Sequence, residues 1–128
     1  MGVNAITTKT GSNGETKDAI QINICDVTDT CCSTTLDRSG RTDFKKGAVN
    51  VFDRPEEMGD CHDVYLDKDE LTVTLSKSGT DGWFVDWVDV TLPYKVNFHC
   101  VFGIWLDDER TDSRPSGLKS DPVQCQRS

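Results

Sequence analysis

The sequence predicts an all-β protein whose antiparallel strands form a sandwich or a barrel. Eight short segments of strand-like composition follow one another along the chain, separated by segments rich in Gly, Ser, Asn and Asp. No window of the chain repeats apolar residues at the spacing of an amphipathic helix. Many short strands without intervening helices are typical of antiparallel sheets rather than of parallel ones.

The predicted strands are bounded by turn-forming residues. These residues are densest at positions 11–14, 37–40 and 76–82, where glycine supplies the backbone conformations that tight connections need. In chain order the candidate strands are Asn4 to Lys9, Ala19 to Cys25, Cys32 to Leu36, Ala48 to Phe52, Glu70 to Leu75, Phe84 to Leu92, Tyr94 to Cys100 and Phe102 to Leu106.

The strand predicted at 84–92 has the clearest alternation. Apolar residues alternate with polar ones, which is the pattern of a strand with one buried and one solvated face. Phe84 shares the parity of the apolar set and is predicted to lie in the core, and Trp83 and Trp105 are expected to be buried as well. The alternating residues are Val88, Val90 and Leu92 on the inner face, and Asp89 and Thr91 on the outer face.

Trp87 lies one residue before Val88 and is therefore predicted to point outwards. An outward tryptophan is an apolar anchor that a partner can cover, and Asp86 and Asp89 would form an acidic rim around it. Two interpretations stay open. Either Trp87, Asp86 and Asp89 form a binding site, or the C-terminal tail or a disulfide packs over the tryptophan.

Length and charge limit the domain count and the partners. The 128 residues suit one domain, expected at 1–107, with 108–128 as a polar, irregular tail that is tethered through Cys125. The net charge of −8 argues against nucleic acid as a partner, because phosphate backbones are bound through basic patches. No run of about 18 apolar residues occurs, so no transmembrane segment is predicted.

Six cysteines in a chain of this size indicate a disulfide frame. Their spacing does not match the paired C-x-x-C clusters of structural zinc sites. Six cysteines allow about 15 pairings; those that join the adjacent Cys31 and Cys32 would strain the ring, which leaves about 12. Three disulfides predict a secreted, extracellular protein. The cysteines are Cys25, Cys31, Cys32, Cys61, Cys100 and Cys125.

Catalytic chemistry has little support in the sequence. The two histidines are His62 in a charged loop and His99 on a predicted strand, and no catalytic motif of a recognised kind surrounds either. Cysteines that are paired in disulfides cannot act as nucleophiles. We expect no enzyme activity.

Several segments, taken in order, resemble the landmarks of a known family. Residues 10–25 hold Thr-Gly, a loop that ends in Asp-Ala, and a strand; residues 44–52 read Phe-Lys-Lys-Gly and then Val-Asn-Val-Phe; Met58-Gly59 precedes the strand Leu71 to Leu75. Residues 81–90 resemble a D-W-x-x-x-x-V-x-V strand with one inserted glycine, and residues 98–106 resemble a closing F-x-C and W-L pair. This order, over about residues 5–107, resembles the PLAT domain of polycystin, lipoxygenase and alpha-toxin.

The resemblance implies an eight-stranded antiparallel β-sandwich that acts as a targeting module for lipid, membrane or protein, in several members with bound calcium. Glu15, Asp18 and Asp81 are the oxygen donors that the resemblance suggests for calcium. Lys77 stands where an aspartate is common, and an ammonium group repels a cation and offers no lone pair. Calcium binding is therefore expected to be weak or absent.

The predicted function is a secreted, non-enzymatic binding module that recognises a protein or lipid surface. The predicted loops are mainly Ser, Thr, Gly and Asp, which favours a protein surface over membrane lipid. The alternative is a secreted effector, such as a venom, defence or extracellular-matrix component, in which the sandwich is only a disulfide-stapled scaffold.

Overall fold

A computed structural model of the chain describes residues 2–12, 20–36, 44–77, 83–106, 120 and 122–127. Within these residues the protein consists of eight strands and three short 3-10 turns, which confirms the predicted all-β fold class. The strands are β1 (Ala5–Thr10), β2 (Ile20–Asp26), β3 (Cys31–Leu36), β4 (Val49–Phe52), β5 (Leu71–Lys77), β6 (Trp83–Leu92), β7 (Val96–Leu106) and β8 (Val123–Arg127), and the 3-10 turns are Pro55–Glu57, Gly59–His62 and Pro93–Lys95.

The strands form a nearly closed antiparallel sheet that folds into two layers. The strand order is β3-β2-β5-β8-β7-β6-β1-β4. One layer contains β4, β1, β6 and β7, and the other contains β3, β2 and β5. Strand β8 joins the layers, because Val123 and Cys125 pair with β5 whereas Gln126 and Arg127 pair with β7.

The eighth strand lies where we expected an irregular tail. Residues 123–127 form β8 in the middle of the sheet. The segments predicted as two strands at 94–100 and 102–106 are instead the single strand β7, which passes through Gly103 at a φ of 59°. A glycine tolerates this left-handed conformation at a bulge, so the strand continues through the predicted break.

The core lies between the two layers and follows the alternation of the strands. In β2 and β5 every second residue is buried, and in β1 the inner positions include Ile6 and the buried Thr8 and Thr10. An aromatic cluster fills one end, where the Phe44 ring lies 5.9 Å from Phe52 and 5.1 Å from Trp83 between ring centroids. The largest fully buried side chains are Trp83, Phe52, Phe98, Ile6, Ile20, Ile22, Ile24, Leu36, Met58, Leu71, Leu75 and Leu92.

An extra residue in β6 reverses its alternation. Thr10 pairs with Val85 and the adjacent Lys9 pairs with Trp87, so Asp86 has no partner on β1. Trp83 and Val85 are therefore buried on the same side as Val88. The prediction that Phe84 lies in the core is wrong, because the bulge turns this half-buried residue to the other face.

Trp83 is fully buried, as predicted. Its indole Nε1 donates a hydrogen bond to the Thr10 hydroxyl at 2.9 Å, so its one polar atom is satisfied inside the core. The side chain of Trp105, also predicted to be buried, lies outside the described residues.

All six cysteines form disulfides, as predicted. Cys25–Cys31 joins β2 to β3 at directly paired positions, and Cys100–Cys125 joins β7 to β8. Cys32–Cys61 attaches the 3-10 turn Gly59–His62 to β3. The pairing follows from which strands become neighbours, which the cysteine spacing alone left open.

The edge strand β3 is covered by the segment that carries the first two 3-10 turns. The Ser33 amide donates to the Asp60 carboxylate at 2.6 Å, and the Thr34 hydroxyl donates to the Glu57 carbonyl at 2.6 Å. With the Cys32–Cys61 disulfide, these bonds cap a sheet edge that would otherwise be open to pairing with another chain.

Asp26 ties the end of β2 to two loops. Its carboxylate accepts hydrogen bonds from the Thr28 amide at 2.9 Å, the Thr28 hydroxyl at 2.7 Å, the Thr30 amide at 3.0 Å and the Asp67 amide at 2.8 Å. Burial raises the pKa of Asp26, but the hydrogen bonds from Asp67, Thr28 and Thr30 outweigh it, so the net pKa is lowered. The ionised carboxylate is therefore a structural group.

Replacing Asp26 with Asn should make the protein less stable at neutral pH and less sensitive to acid. A lowered native pKa stabilises the fold above the ordinary carboxyl range, and this contribution disappears as the pH falls through the native pKa. We expect a loss of about 1–3 kcal/mol near pH 7 and a shallower fall of Tm as the pH is lowered below about 5. Asp29→Asn, in the same turn but exposed, is the matched control. Parallel Tm curves for wild type and Asp26→Asn would contradict this role.

Thr8 is the second residue whose replacement gives a clear expectation. It is fully buried opposite Asn50 and Val88, and its hydroxyl has no hydrogen-bond partner among the described residues. Thr8→Val replaces an unsatisfied hydroxyl by a methyl of similar shape, so it should stabilise the fold by about 1 kcal/mol and raise Tm by about 3–5 °C. Thr7→Val on the outer face should change stability by less than about 0.5 kcal/mol. A lower Tm for Thr8→Val by calorimetry would mean that the hydroxyl is bonded.

Candidate functional site

The outer face of the layer β4-β1-β6-β7 carries an apolar row. The register places Val49, Lys9, Trp87 and Val101 side by side across the four strands. Val49 is 52% exposed and Val101 is 65% exposed, so the row ends in two open aliphatic side chains. We call these four residues the front row of the outer face.

Lys9 contributes mainly its aliphatic stem to the front row. Its Nζ donates a hydrogen bond to the Gly47 carbonyl at 2.7 Å, in the turn before β4. The ammonium group is therefore held at the turn before β4, while the aliphatic stem lies between Val49 and Trp87. The front row is therefore more apolar than its composition suggests.

A second row lies beside the front row and is more polar. It contains Val51, Thr7, Asp89 and His99 on the same four strands. His99 Nδ1 lies 2.5 Å from the Asp89 carboxylate Oδ1, which makes a hydrogen bond with an ion-pair component when the imidazole is protonated. Asp89 and His99 are both half-buried and fix each other's orientation.

Trp87 lies on the outer face and is half-buried. Its ring packs against His99 with centroids 5.5 Å apart. The bulge in β6 leaves Asp86 and Trp87 as consecutive residues away from the core, so the three residues predicted from sequence, Trp87, Asp86 and Asp89, lie along one strand face. His99 covers part of the indole, a contact that the sequence did not predict.

Sequence reasoning missed four residues of this face: Lys9, Val49, Val51 and Val101. Valine at alternate positions of a strand normally indicates a buried face. In β4 the opposite holds, since Asn50 and Phe52 are buried while the valines are open. The only sequence signal was the parity of Phe52, an aromatic residue that competes with the valines for the core.

Of the four residues that bear on the predicted calcium site, the structure describes Lys77. Glu15, Asp18 and Asp81, the predicted donors, lie outside the described residues. Lys77 is the last residue of β5, directly before the loop that leads to Asp81, and its side chain is buried.

One other group of metal-capable residues occurs in the described part of the chain, and it does not suit a metal. It consists of Cys32, Asp60 and Cys61. The two sulfurs are bonded to each other in a disulfide, and the Asp60 carboxylate accepts the hydrogen bond from the Ser33 amide. A disulfide sulfur is not the thiolate that zinc or iron requires.

Each of the two histidines has a neighbouring aspartate carboxylate. His62 Nδ1 lies 3.0 Å from the Asp63 carboxylate on an exposed turn, and His99 bonds to Asp89 on the outer face. Since every cysteine is in a disulfide, no thiol is available as a nucleophile.

Across the described ranges, none of the helices has the length and apolar character that crossing a membrane requires.

Comparison with known proteins identifies the fold but no family by sequence. The sequence matches no protein-family model and no curated protein. Among solved structures, coral 8R-lipoxygenase superposes with a TM-score of 0.64 at 16% identity over 94% of this chain. Alpha-toxin from Clostridium absonum gives a TM-score of 0.59 at 15% identity over 98% of the chain. Alpha-toxin from an avian strain of Clostridium perfringens gives 0.56 at 17% identity over 98%.

These similarities concern one part of much larger proteins. The chain spans 16% of the coral lipoxygenase and 32% of each toxin. The coral enzyme is described as being activated by calcium through a C2-like domain. At this identity the likeness establishes a PLAT-like or C2-like sandwich fold, and function must be argued from the site itself.

Proposed function

We propose that this protein is a secreted, non-enzymatic binding module that recognises another protein through the outer face of β4-β1-β6-β7. The observation that carries this proposal is the front row, in which Val49, Lys9, Trp87 and Val101 align across four strands. Soluble monomers rarely leave contiguous apolar side chains open on a flat sheet face without a partner. A half-buried tryptophan between open valines has the composition of an interface core.

The surroundings of the front row favour a partner with a neutral or basic surface. Asp86 and Asp89 flank Trp87, and the chain as a whole carries a net charge of −8. Complementary charge steers association and disfavours wrong partners. Three disulfides support an extracellular location, because they persist in oxidising compartments.

A lipid surface is the second candidate, and a different part of the protein favours it. Tyr94, at the tip of the β6–β7 connection, is 80% exposed, and the Lys68 ammonium lies 4.6 Å from its ring centroid. Tyr65 is also exposed. It lies two residues before Asp67, whose backbone amide donates a hydrogen bond to the Asp26 carboxylate at the end of β2. Exposed aromatics beside a lysine at loop tips are typical of interfacial docking.

Replacing Trp87 with Ala should weaken partner binding and leave the fold intact. An anchor of this kind contributes about 2 kcal/mol or more, so its loss should lower affinity about thirtyfold. The matched control is Trp83→Ala, which removes a fully buried indole and should cost about 3–5 kcal/mol of stability. Thermal unfolding of both variants checks the folding side of the prediction. If Trp87→Ala unfolds the protein as Trp83→Ala does, Trp87 is structural.

Partner capture tests the proposed face directly. The immobilised chain is incubated with extracellular proteins of its source, and bound proteins are identified by mass spectrometry. Trp87→Ala and Val101→Glu, both changed on the outer face, should lose the captured protein, whereas Tyr94→Ala at the loop tip should keep it. Binding to vesicles of phosphatidylcholine and phosphatidylserine that depends on Tyr94 and not on Trp87 would instead favour the lipid candidate.

Calcium should bind weakly or not at all. We expect this because Lys77 stands where the resemblance suggests an aspartate, and an ammonium group repels a cation and offers no oxygen ligand. Titration calorimetry should detect no dissociation constant in the low micromolar range. Lys77→Asp should create or strengthen binding, and Lys77→Met, which removes the charge without adding oxygens, is the control. Tight binding by the wild-type chain would contradict this expectation.

A further inference from the structure

Three of the six exposed large apolar residues of the described chain lie on the outer face. Val49, Val51 and Val101 lie there, while Val27, Tyr65 and Tyr94 lie in loops and turns. Exposed valines on a loop are common, whereas three on one sheet face together with a half-buried tryptophan form a patch that suits a flat apolar partner surface. The outer face of a second sheet is such a surface.

The front row is self-complementary under a two-fold rotation. Its order across the layer is Val49 on β4, Lys9 on β1, Trp87 on β6 and Val101 on β7. A two-fold axis parallel to the strands and midway between β1 and β6 exchanges β4 with β7 and β1 with β6. Face-to-face packing about that axis sets each valine against the other valine of the second copy, and Lys9 against Trp87 of the second copy.

We propose that a second copy of this chain is a partner of the outer face and forms a symmetric, sheet-on-sheet dimer. This inference rests on the proposed function, since it names one occupant of the same face. The two Lys9–Trp87 contacts place the aliphatic stem of the lysine on an indole at the centre of the interface, since the Lys9 Nζ is hydrogen-bonded to the Gly47 carbonyl. The two Val49–Val101 contacts close the apolar row at both ends.

The second row is compatible with the same arrangement. The axis that pairs the front rows sets Thr7 against Asp89 of the second copy and Val51 against His99 of the second copy. A hydroxyl can donate to the carboxylate, and no like charges are apposed in either row. Asp86 lies outside both rows, and each copy carries a net charge of −8, so repulsion between the copies should weaken the dimer and added salt should strengthen it.

The size of the face sets the strength of the dimer. Four strands spaced about 4.8 Å apart span about 19 Å, and the six residues of β1 extend about 20 Å, which gives a projected face of at most about 400 Å². Standard interfaces bury about 800 Å² per partner. The dimer should therefore be weak and reversible, so that at low concentration the face is open to another partner.

Sedimentation equilibrium over a range of concentrations tests the association. The wild-type chain should approach twice its 14.2 kDa mass at the highest concentrations. Val101→Glu places a charge in the apolar row and should weaken association at least tenfold. Val27→Glu, a matched change at an exposed valine of the β2–β3 turn, should leave it unchanged. A wild-type chain that stays monomeric throughout, or equal loss in both variants, would overturn the proposal.

Thiol cross-linking tests the register. Positions 49 and 101 lie three strand spacings apart within one chain, about 14 Å, so a bis-maleimide shorter than this cannot join them in one copy. In the dimer, Cys introduced at both positions faces its counterpart across the interface. The double variant Val49→Cys with Val101→Cys should cross-link into dimers, and either single variant should not. Equal cross-linking of Val49→Cys alone would overturn the proposed axis.

The two proposals fail separately. If the wild-type chain stays monomeric but Val101→Glu loses a captured extracellular protein, the outer face binds a different partner and the second-copy inference falls. If the chain dimerises with the predicted register and Val101→Glu leaves capture of that protein unchanged, the second-copy inference stands and binding of another protein through this face falls.

Discussion

The extra residue in β6 is the constraint on which both the core and the outer face depend. Without it, Trp83 and Val85 would point away from Val88, and the aromatic cluster with Phe44 would lose its centre. With it, the strand keeps one buried face on both sides of the bulge and turns Asp86 and Trp87 outwards together. The hydrophobic effect favours the bulge, because burying the Trp83 indole offsets the missing β1 partner of Asp86. The candidate site is thus a consequence of how the core is filled.

Strand β8 has a comparable role for the architecture. It pairs with β5 at one end and with β7 at the other, so the two layers share one continuous sheet. The Cys100–Cys125 disulfide fixes β8 to the centre of β7. Cys100 is buried, and the residue before it, His99, lies on the outer face. A disulfide here restricts the unfolded chain and holds a short strand that would form few contacts by itself. Reduction should therefore loosen the junction between the layers before it disturbs the hairpin of β6 and β7.

The layer β4-β1-β6-β7 is unusual in which residues it buries. Thr8 and Asn50 face the core while Val49, Val51 and Val101 face solvent. The Asn50 side chain has a reason to be inside, since its carbonyl accepts the Phe44 amide at 2.9 Å and so supports a residue whose φ is 61°. Aliphatic residues on the open side have no such local reason. Their place on the outer face agrees with the proposal that a partner covers it.

The sequence by itself determined the fold class, the disulfide chemistry and the inward side of β6 from Val88 onwards, because strand alternation and cysteine content are local properties. It did not determine the cysteine pairing, the strand at 123–127 or the position of Phe84. Each of these depends on which strands become neighbours and on one inserted residue, and a shift of one residue exchanges the two faces of a strand. The outward side of Trp87 and Asp89 was readable from parity, but that of Asp86 depends on the bulge. The alignment of Val49, Lys9 and Val101 with Trp87 exists only across four strands that are distant in the chain. Only the tertiary structure brings them into one row, because register between strands is set by the packing of the core.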